Sequence, residues 1–375
     1  MIPRPLTTTM AAAAALAMFA AACGGNGSGE TDAGTTDPTS SQPATTSEAA
    51  PDLEGSNVTL LTHDSFNASD DVLAAFEDET GMTLEILRSG DAGSMVNQAI
   101  LSAGNPQADV LFGIDNTFLS RALEADLFEA YEPAAAADLD QSLVLDDQYR
   151  VTPIDTGDVC LNYDVAAFDE LQVDPPATLE DLTDPAYAGK LVVENPATSS
   201  PGLAFLLATI ATFGDGGWQE FWEDLRVNDV AVSAGWEDAY YGQFSGGAGE
   251  GDRPLVVSYA SSPPAEVFFA DPQPEQAPTG VIAASCFRQI EFAGVLAGTD
   301  NRAGAEALID FLLSLEFQED IPLNMFVFPA RTDATLPDVF VEHAVVVDEP
   351  IAMDPADIHA NREAWIDEWT QIVIR

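Results

Sequence analysis

Residues 233–264 bring together the side chains best suited to gripping a small molecule: Trp236, Tyr240 and Tyr259, with Glu237, Ser258, Ser261 and Ser262 around them. Trp236 and Tyr240 are four apart and share a face where the segment is helical. Tyr259 ends a short apolar run, the position at which a buried strand empties into a cleft. Aromatic faces beside hydroxyls and carboxylates suit a flat or cationic ligand, and ordinary core packing of Trp236 and Tyr240 is the competing use. Three further loops each carry an aspartate: His63-Asp64-Ser65-Phe66, Ser89-Gly90-Asp91-Ala92-Gly93-Ser94 and Gly113-Ile114-Asp115-Asn116. A cationic or amine-bearing ligand needs such carboxylates, but helix capping uses the same residue types. Asp64 and Asp115 stay open between the two uses. Asp91, in a glycine-flanked turn, is read as ligand-binding.

An alternation of strands and helices must position these groups. Residues 58–62 read as a strand and 70–79 as a helix with Val72, Leu73 and Phe76 apolar, stopped by Gly81. Strand 83–87 precedes helix 93–102, and strand 109–112 precedes helix 116–127. Such alternation signals a parallel sheet covered by helices, with ligands beyond the carboxyl ends of the strands, where the three aspartate loops fall. Residues 151–163 form a long extended segment. A second block follows: strand 190–194, a turn at 198–202, an apolar helix 203–213, helices around Trp218–Trp222 and from Gly235, and strand 254–258. A second extended stretch, 281–292, leads to a helix over 303–315. The expectation is an α/β protein of two lobes, each a mixed, mostly parallel sheet flanked by helices, with strands crossing between them and a cleft at the junction. A last helix, 355–374, gathers Ile358, Trp365, Ile366 and Trp369 near the face that packs back across the body.

Composition narrows the class. The chain has 375 residues, enough for two sizeable cores, and is 46% hydrophobic. Its 63 acidic residues against 12 basic give a charge of −51, and Lys190 is the single lysine. Such a surface repels nucleic acid and anionic membranes. It favours cationic ligands, and it equally serves solubility in a salty or acidic setting. Arg4, the apolar run 10–22 and the small residues before Cys23 read as a secretory signal. The cysteine after them resembles a bacterial lipobox, which implies a lipidated Cys23, although Ala20 stands where leucine is usual; a non-lipidated exported form is the alternative. Residues 24–55 are rich in Gly, Ser, Thr, Pro and Asp and read as a tether with a reach of roughly 30 Å. No later run is long and apolar enough to span a bilayer. The expected division is 1–22 signal peptide, 23–55 lipidated Cys and tether, 56–155 first part of lobe 1, 156–280 lobe 2, 281–320 return to lobe 1, and 321–375 a segment and helix across both lobes. Cys160 and Cys286 fall in the two extended segments. A disulfide tying the crossing strands and a pair of buried free thiols both remain open.

The body from residue 58 onward resembles the thiamine-binding substrate-binding proteins of ABC importers, of the two-lobed type II periplasmic-binding class. The matching pieces occur in the family's order: Asp64-Ser65-Phe66, Ala108-Asp109-Val110, Gly113-Ile114-Asp115-Asn116, Pro153-Ile154-Asp155 and Thr198-Ser199-Ser200-Pro201-Gly202-Leu203. Gly235-Trp236-Glu237-Asp238-Ala239-Tyr240, Ser258-Tyr259 with Ser262-Pro263, Gln289-Ile290-Glu291 and Arg362-Glu363-Ala364-Trp365-Ile366-Asp367-Glu368-Trp369 complete it. The resemblance implies a carrier without catalytic residues, metal or cofactor, monomeric, delivering thiamine or a phosphorylated thiamine to a membrane permease. It implies ligand contacts from Asp91, Trp236 and Tyr259, and an anion site at the helix start Ser199, Ser200 and Gly202. His63, Ala265 and Phe326 depart from the pattern, standing for a tyrosine, a tyrosine and a stacking tryptophan. Phe326 keeps an aromatic face, His63 can stack or donate, and Phe268 or Phe269 must fill the space left at Ala265. A ferric-ion carrier using Tyr240-Tyr241 is the second reading. A thiamine-degrading enzyme is the third, and it lacks Gly-x-Ser-x-Gly, His-Glu-x-x-His and phosphate-loop motifs.

Overall fold

The protein is described here by a computed structural model covering residues 53–375. The signal peptide, Cys23 and the tether up to residue 52 lie outside the described residues. The folded body starts slightly earlier than expected. Leu53 packs against the core and the Gly55 amide donates to the Gly81 carbonyl at 2.8 Å. A single apolar side chain at the end of a polar tract suffices to draw those residues in.

The strands in chain order are β1 (Asn57–Thr62), β2 (Thr83–Arg88), β3 (Val110–Asp115), β4 (Phe128–Glu129), β5 (Thr152–Asp164), β6 (Leu191–Glu194), β7 (Ala231–Ser233), β8 (Leu255–Tyr259), β9 (Thr279–Leu296) and β10 (Phe328–Pro329). They form one sheet in the order β2-β1-β3-β9-β5-β8-β6-β7, with β4 on β9 and β10 on β5. At each outer end neighbouring strands are parallel, β1 with β2 and β3, β6 with β7 and β8. In the middle the two long strands run antiparallel to each other and to their neighbours. Both halves of the sheet therefore share β5 and β9, the two extended segments of the sequence. The β5–β9 register shifts between Val159 and Leu161. There Cys160 and Cys286 are joined by a disulfide, with Cα atoms 4.2 Å apart, and Leu161 N donates to Ser285 Oγ at 2.8 Å.

The helices are α1 (Asp70–Thr80), α2 (Ala92–Leu101), α3 (Leu119–Glu124), α4 (Val165–Leu171), α5 (Ser200–Phe213), α6 (Gly217–Val227), α7 (Pro263–Phe268), α8 (Arg302–Leu312), α9 (Leu315–Asn324), α10 (Asp338–His343) and α11 (Pro355–Val373). Helix α5 is apolar on almost every face, and its residues 200–210 are all buried, as a helix in a protein centre must be. Trp369 of α11 is fully buried and packs edge-on against Trp222 of α6, with centroids 5.5 Å apart. The last helix thus packs back on the body as its apolar face requires.

Three expectations need correction. The helix read over 116–127 shortens to α3, because Asp115 Oδ1 accepts from Thr117 N and Phe118 N and holds those residues in a turn. The helix read over 303–315 is α8, which stops at Leu312, and a further helix, α9, that was not expected begins at Leu315. Ser314 separates the two by accepting from Phe317 N at 3.1 Å, so it caps a new helix. The helix read from Gly235 is a π-helical turn at Asp238–Gln243. Helices α4, α7 and α10, each six or seven residues long, were not expected at all; segments that short carry too little periodicity to register.

Candidate functional site

A cavity of about 530 Å³ opens where the carboxyl ends of β1 and β2 face the π-turn, the end of β8 and α7. On the first side, the loop after β1 is pinned to the loop after β2. Asp64 Oδ1 accepts from Gly90 N at 3.1 Å, and Asp64 N donates to Gly90 O at 2.9 Å. The His63 ring lies directly over Gly113, which has φ +98°, so a side chain there would collide with it.

Asp91 bridges the two sides. Its Oδ1 accepts from Ala92 N at 2.6 Å, capping α2, while Oδ2 accepts from Trp236 N at 2.9 Å. Capping and cleft placement are therefore not alternatives for this residue. The close approach requires Gly235, whose added Cβ would lie 2.9 Å from Asp91 Oδ2. Burial raises the Asp91 pKa against the pull of the Trp236 and Ala92 amides.

The second side is an aromatic wall. The Trp236 ring stacks on Tyr240 at 5.0 Å and 22°, and meets Tyr259 edge-on at 6.4 Å. Both ring heteroatoms are fixed: Trp236 Nε1 donates to Ser258 Oγ at 2.9 Å and Tyr240 OH donates to Glu266 Oε1 at 2.7 Å. Burial, and then the Glu266 charge, raise the Tyr240 pKa and keep the phenol protonated. Phe326 closes one edge. It holds the left-handed conformation at φ +56°, which a bulky residue adopts only when its surroundings impose it. Its ring lies 5.5 Å from Phe269, which is 71% exposed at the mouth.

A polar line crosses the floor. Gln289 Nε2 donates to Tyr259 OH and to Glu291 Oε1, each at 3.2 Å. Glu291 in turn lies 3.6 Å from His63 Nε2, an ion-pair distance beyond hydrogen-bonding length. Burial lowers the His63 pKa, but the Glu291 carboxylate, with Asp91 and Asp64 behind it, outweighs burial and leaves it raised. Beneath, Asp155 is paired in register with Glu291, fully buried, with neither carboxyl oxygen bonded. Burial first and Glu291 second push its pKa well above the usual carboxylate range, which favours the protonated acid.

Of the residues singled out from sequence, His63, Asp64, Asp91, Ser200, Trp236, Tyr240, Tyr259 and Phe326 line this cavity, and Asp115, Ser199 and Gly202 do not. Asp115 is fully buried and spends Oδ1 on Thr117 and Phe118, the capping use. Gly202 packs inside α5 against the Glu194 backbone. Ala265 lines the cavity without a ring, and Phe269 lies one turn further along the same helix face. No sequence signal singled out Arg88 or Glu266, and none gave Glu291 an individual role; these also line it, as does Glu237 beside Trp236. Glu291 was detectable only as part of Gln289-Ile290-Glu291, because its place depends on the register of β9 against β5. Among the described residues no group of three or more His, Cys, Asp or Glu side chains is arranged to hold a metal ion. Nor is any helix long and apolar enough to cross a membrane.

A mid-sized cavity walled by aromatics, floored by carboxylates and set where two half-sheets share two crossing strands defines a solute-capture protein. A family model for bacterial extracellular solute-binding proteins matches residues 105–346, and the chain belongs to that family. It is 29% identical over 331 residues to a thiamine-binding periplasmic protein of Salmonella typhimurium, covering 87% of this chain and 96% of that one. It is 27% identical to a thiamine-binding periplasmic protein of Brucella suis, covering 83% and 90%. A solved periplasmic thiamin binding protein superposes with a TM-score of 0.75 at 28% identity, covering 88% of this chain and all of that one. The protein is an extracytoplasmic solute-binding component of an ABC importer.

Proposed function

We propose that this protein captures thiamine, or a phosphate ester of it, and delivers it to a membrane permease. The observation that carries the reading is Asp91, half-buried at the foot of the Trp236–Tyr240–Tyr259 wall and already bonded to the Trp236 amide. A carboxylate there accepts from the ligand's amino group while the aromatic faces meet its rings and positive charge. Each such contact with a cation is worth about 0.5–2 kcal/mol, more as water is excluded. The names of the relatives point the same way.

In this reading residues 56–155 and 281–320 form one lobe and 156–280 the other, with 321–375 packing across both. Ligand binding shifts the population toward a closed form that the permease recognises. The chain works as a monomer, held to the outer face of the cytoplasmic membrane through lipid on Cys23, and returns its cargo unchanged. The ferric reading is disfavoured by Tyr240, whose hydroxyl is committed to Glu266 and whose ring is stacked on Trp236.

Titration with thiamine tests the proposal. Heat release and a Trp fluorescence change at micromolar ligand are expected, with intact thiamine recovered afterwards by mass spectrometry. No signal at that concentration sinks the ligand assignment, and recovery of breakdown products sinks the carrier assignment.

A further inference from the structure

We propose that Glu291 is the carboxylate that meets the positive charge of the cargo, and that His63 holds that place with a proton until the cargo arrives; this rests on reading the cavity as the cargo site. Three acids stand in one row across neighbouring strands. Asp115 of β3 and Asp155 of β5 are each paired in register with Glu291 of β9. Like charges so close do not all ionise. Asp115 and Asp155 are fully buried, and burial pushes both toward the neutral acid, Asp115 to about 6. Glu291 is the member of the row that lines the cavity, so the charge of the row faces the cargo. The other carboxylates there have different engagements. Asp64 accepts from Gly90 N, Asp91 from Ala92 N and Trp236 N, and Glu266 from Tyr240 OH, while Glu237 stands exposed. Glu291 accepts from Gln289 through Oε1 and turns Oε2 toward His63.

A cation therefore already stands opposite that oxygen. His63 Nε2 lies 3.6 Å from Glu291 Oε2, buried and without a hydrogen-bond partner. The imidazole rests over Gly113, with the Phe112 ring 6.0 Å away. The charged groups facing it are Glu291 from β9, Asp91 from the start of α2 and Asp64 from its own loop. Burial lowers its pKa, and these acids, led by Glu291, outweigh burial and leave it raised. From β8 the nearest group is the neutral Tyr259 phenol, tied to Glu291 through Gln289. Arg88, the other base of the cavity, bonds instead to the Phe66 carbonyl at 3.1 Å. A pair at 3.6 Å is held by charge and not by a hydrogen bond, so a second cation competes for it directly. A permanently charged cargo beside Glu291 offers a charge that needs no proton, and it repels the imidazolium. His63 then gives its proton to solvent, and the site keeps one positive charge throughout. A neutral cargo offers no such exchange and leaves the pair in place. His63 and Glu291 together thus select a permanent cation over its neutral analogues.

Calorimetric titration with thiamine in two buffers of different ionisation heat, repeated between about pH 5 and 8, counts the protons released on binding. The unaltered protein should release close to one proton per thiamine at the acidic end and fewer as pH passes the His63 pKa. Affinity should accordingly climb by up to about tenfold per pH unit and then level off. A neutral pyrimidine alcohol, where it binds, should release none. His63→Tyr should bind thiamine with little proton release, and Glu291→Gln should lose about tenfold or more of the thiamine affinity. Thiamine binding without proton release overturns the proposal. So does undiminished release in His63→Tyr, because the proton then comes from another acid such as Asp91 or Asp155. Equal release with the neutral alcohol overturns it too, since burial and not charge would then expel the proton. If Glu291→Gln is misfolded by circular dichroism, the proton counts of the unaltered protein and of His63→Tyr decide alone. Absence of thiamine binding defeats the cargo reading and the proposal with it; the other failures all occur with thiamine bound, so the two cases stay distinct.

Discussion

Asp91 and Asp115 each stand in a loop between a strand and a helix, and in the sequence only the glycines flanking Asp91 set the two apart. The structure separates them by what their oxygens meet. Asp91 divides its oxygens between a helix cap and the Trp236 amide. Asp115 spends one oxygen three times over, on Thr117 N, Thr117 Oγ1 and Phe118 N, and leaves the other buried without a bond. Burial raises the Asp115 pKa from 3.8 to about 6. The folded state therefore keeps a proton that the unfolded chain has released, and stability falls as pH rises from about 4 to 6 and stays low above. A rise of that size corresponds to about 3 kcal/mol. Asp115→Asn keeps the acceptor oxygen and removes the ionisation. It should flatten that fall and gain up to about 3 kcal/mol at pH 7, read from urea unfolding between pH 4 and 8. A variant whose pH profile runs parallel to the unaltered protein's would show that Asp115 ionises freely in the fold.

At the scale of elements, the long strands and the longer amphipathic helices were legible because their periodicity is local. β1, β2, α1, α2 and α11 fall within a few residues of their expected bounds. The break between α8 and α9 was not legible, because it depends on whether Ser314 bonds forward to Phe317. The floor of the site was less so. Glu291 meets Asp155 only through pairing of strands far apart in the chain, and no local pattern records that register. Arg88 was passed over for a similar reason: an arginine ending a strand has no signature until the cavity exists. The same two strands carry the disulfide between Cys160 and Cys286, 126 residues apart in sequence. A cross-link closing so long a loop restricts the unfolded chain strongly, so replacing both cysteines by serine should cost about 2–5 kcal/mol. The measurement is the urea midpoint, with an unchanged slope separating lost stability from an altered unfolded state. A midpoint equal to that of the unaltered protein would mean that the strands alone hold the crossing.

For the whole molecule the dominant quantity is charge, −51 over 375 residues. For the cationic cargo proposed above, close contacts in the cavity act whatever lies on the distant surface. The field of that surface acts earlier, on the encounter. A net negative body with carboxylates at Asp64, Asp91, Glu237, Glu266 and Glu291 lining its cavity draws cations inward over distances set by the ionic atmosphere. That distance is about 30 Å at 0.01 M salt and well under 10 Å at 0.5 M. Steering should therefore appear in the association rate and not in dissociation, which is governed by aromatic contacts and bonded carboxylates already inside the screened region. For thiamine, stopped-flow Trp fluorescence between 0.01 and 0.5 M NaCl should show association slowing by about tenfold, with dissociation changing less than twofold. A neutral pyrimidine alcohol, where it binds, should show neither trend. If association is flat with salt, the acidic surface serves solubility alone, and selection of a cation rests entirely on the few groups at the Asp91 end of the cavity.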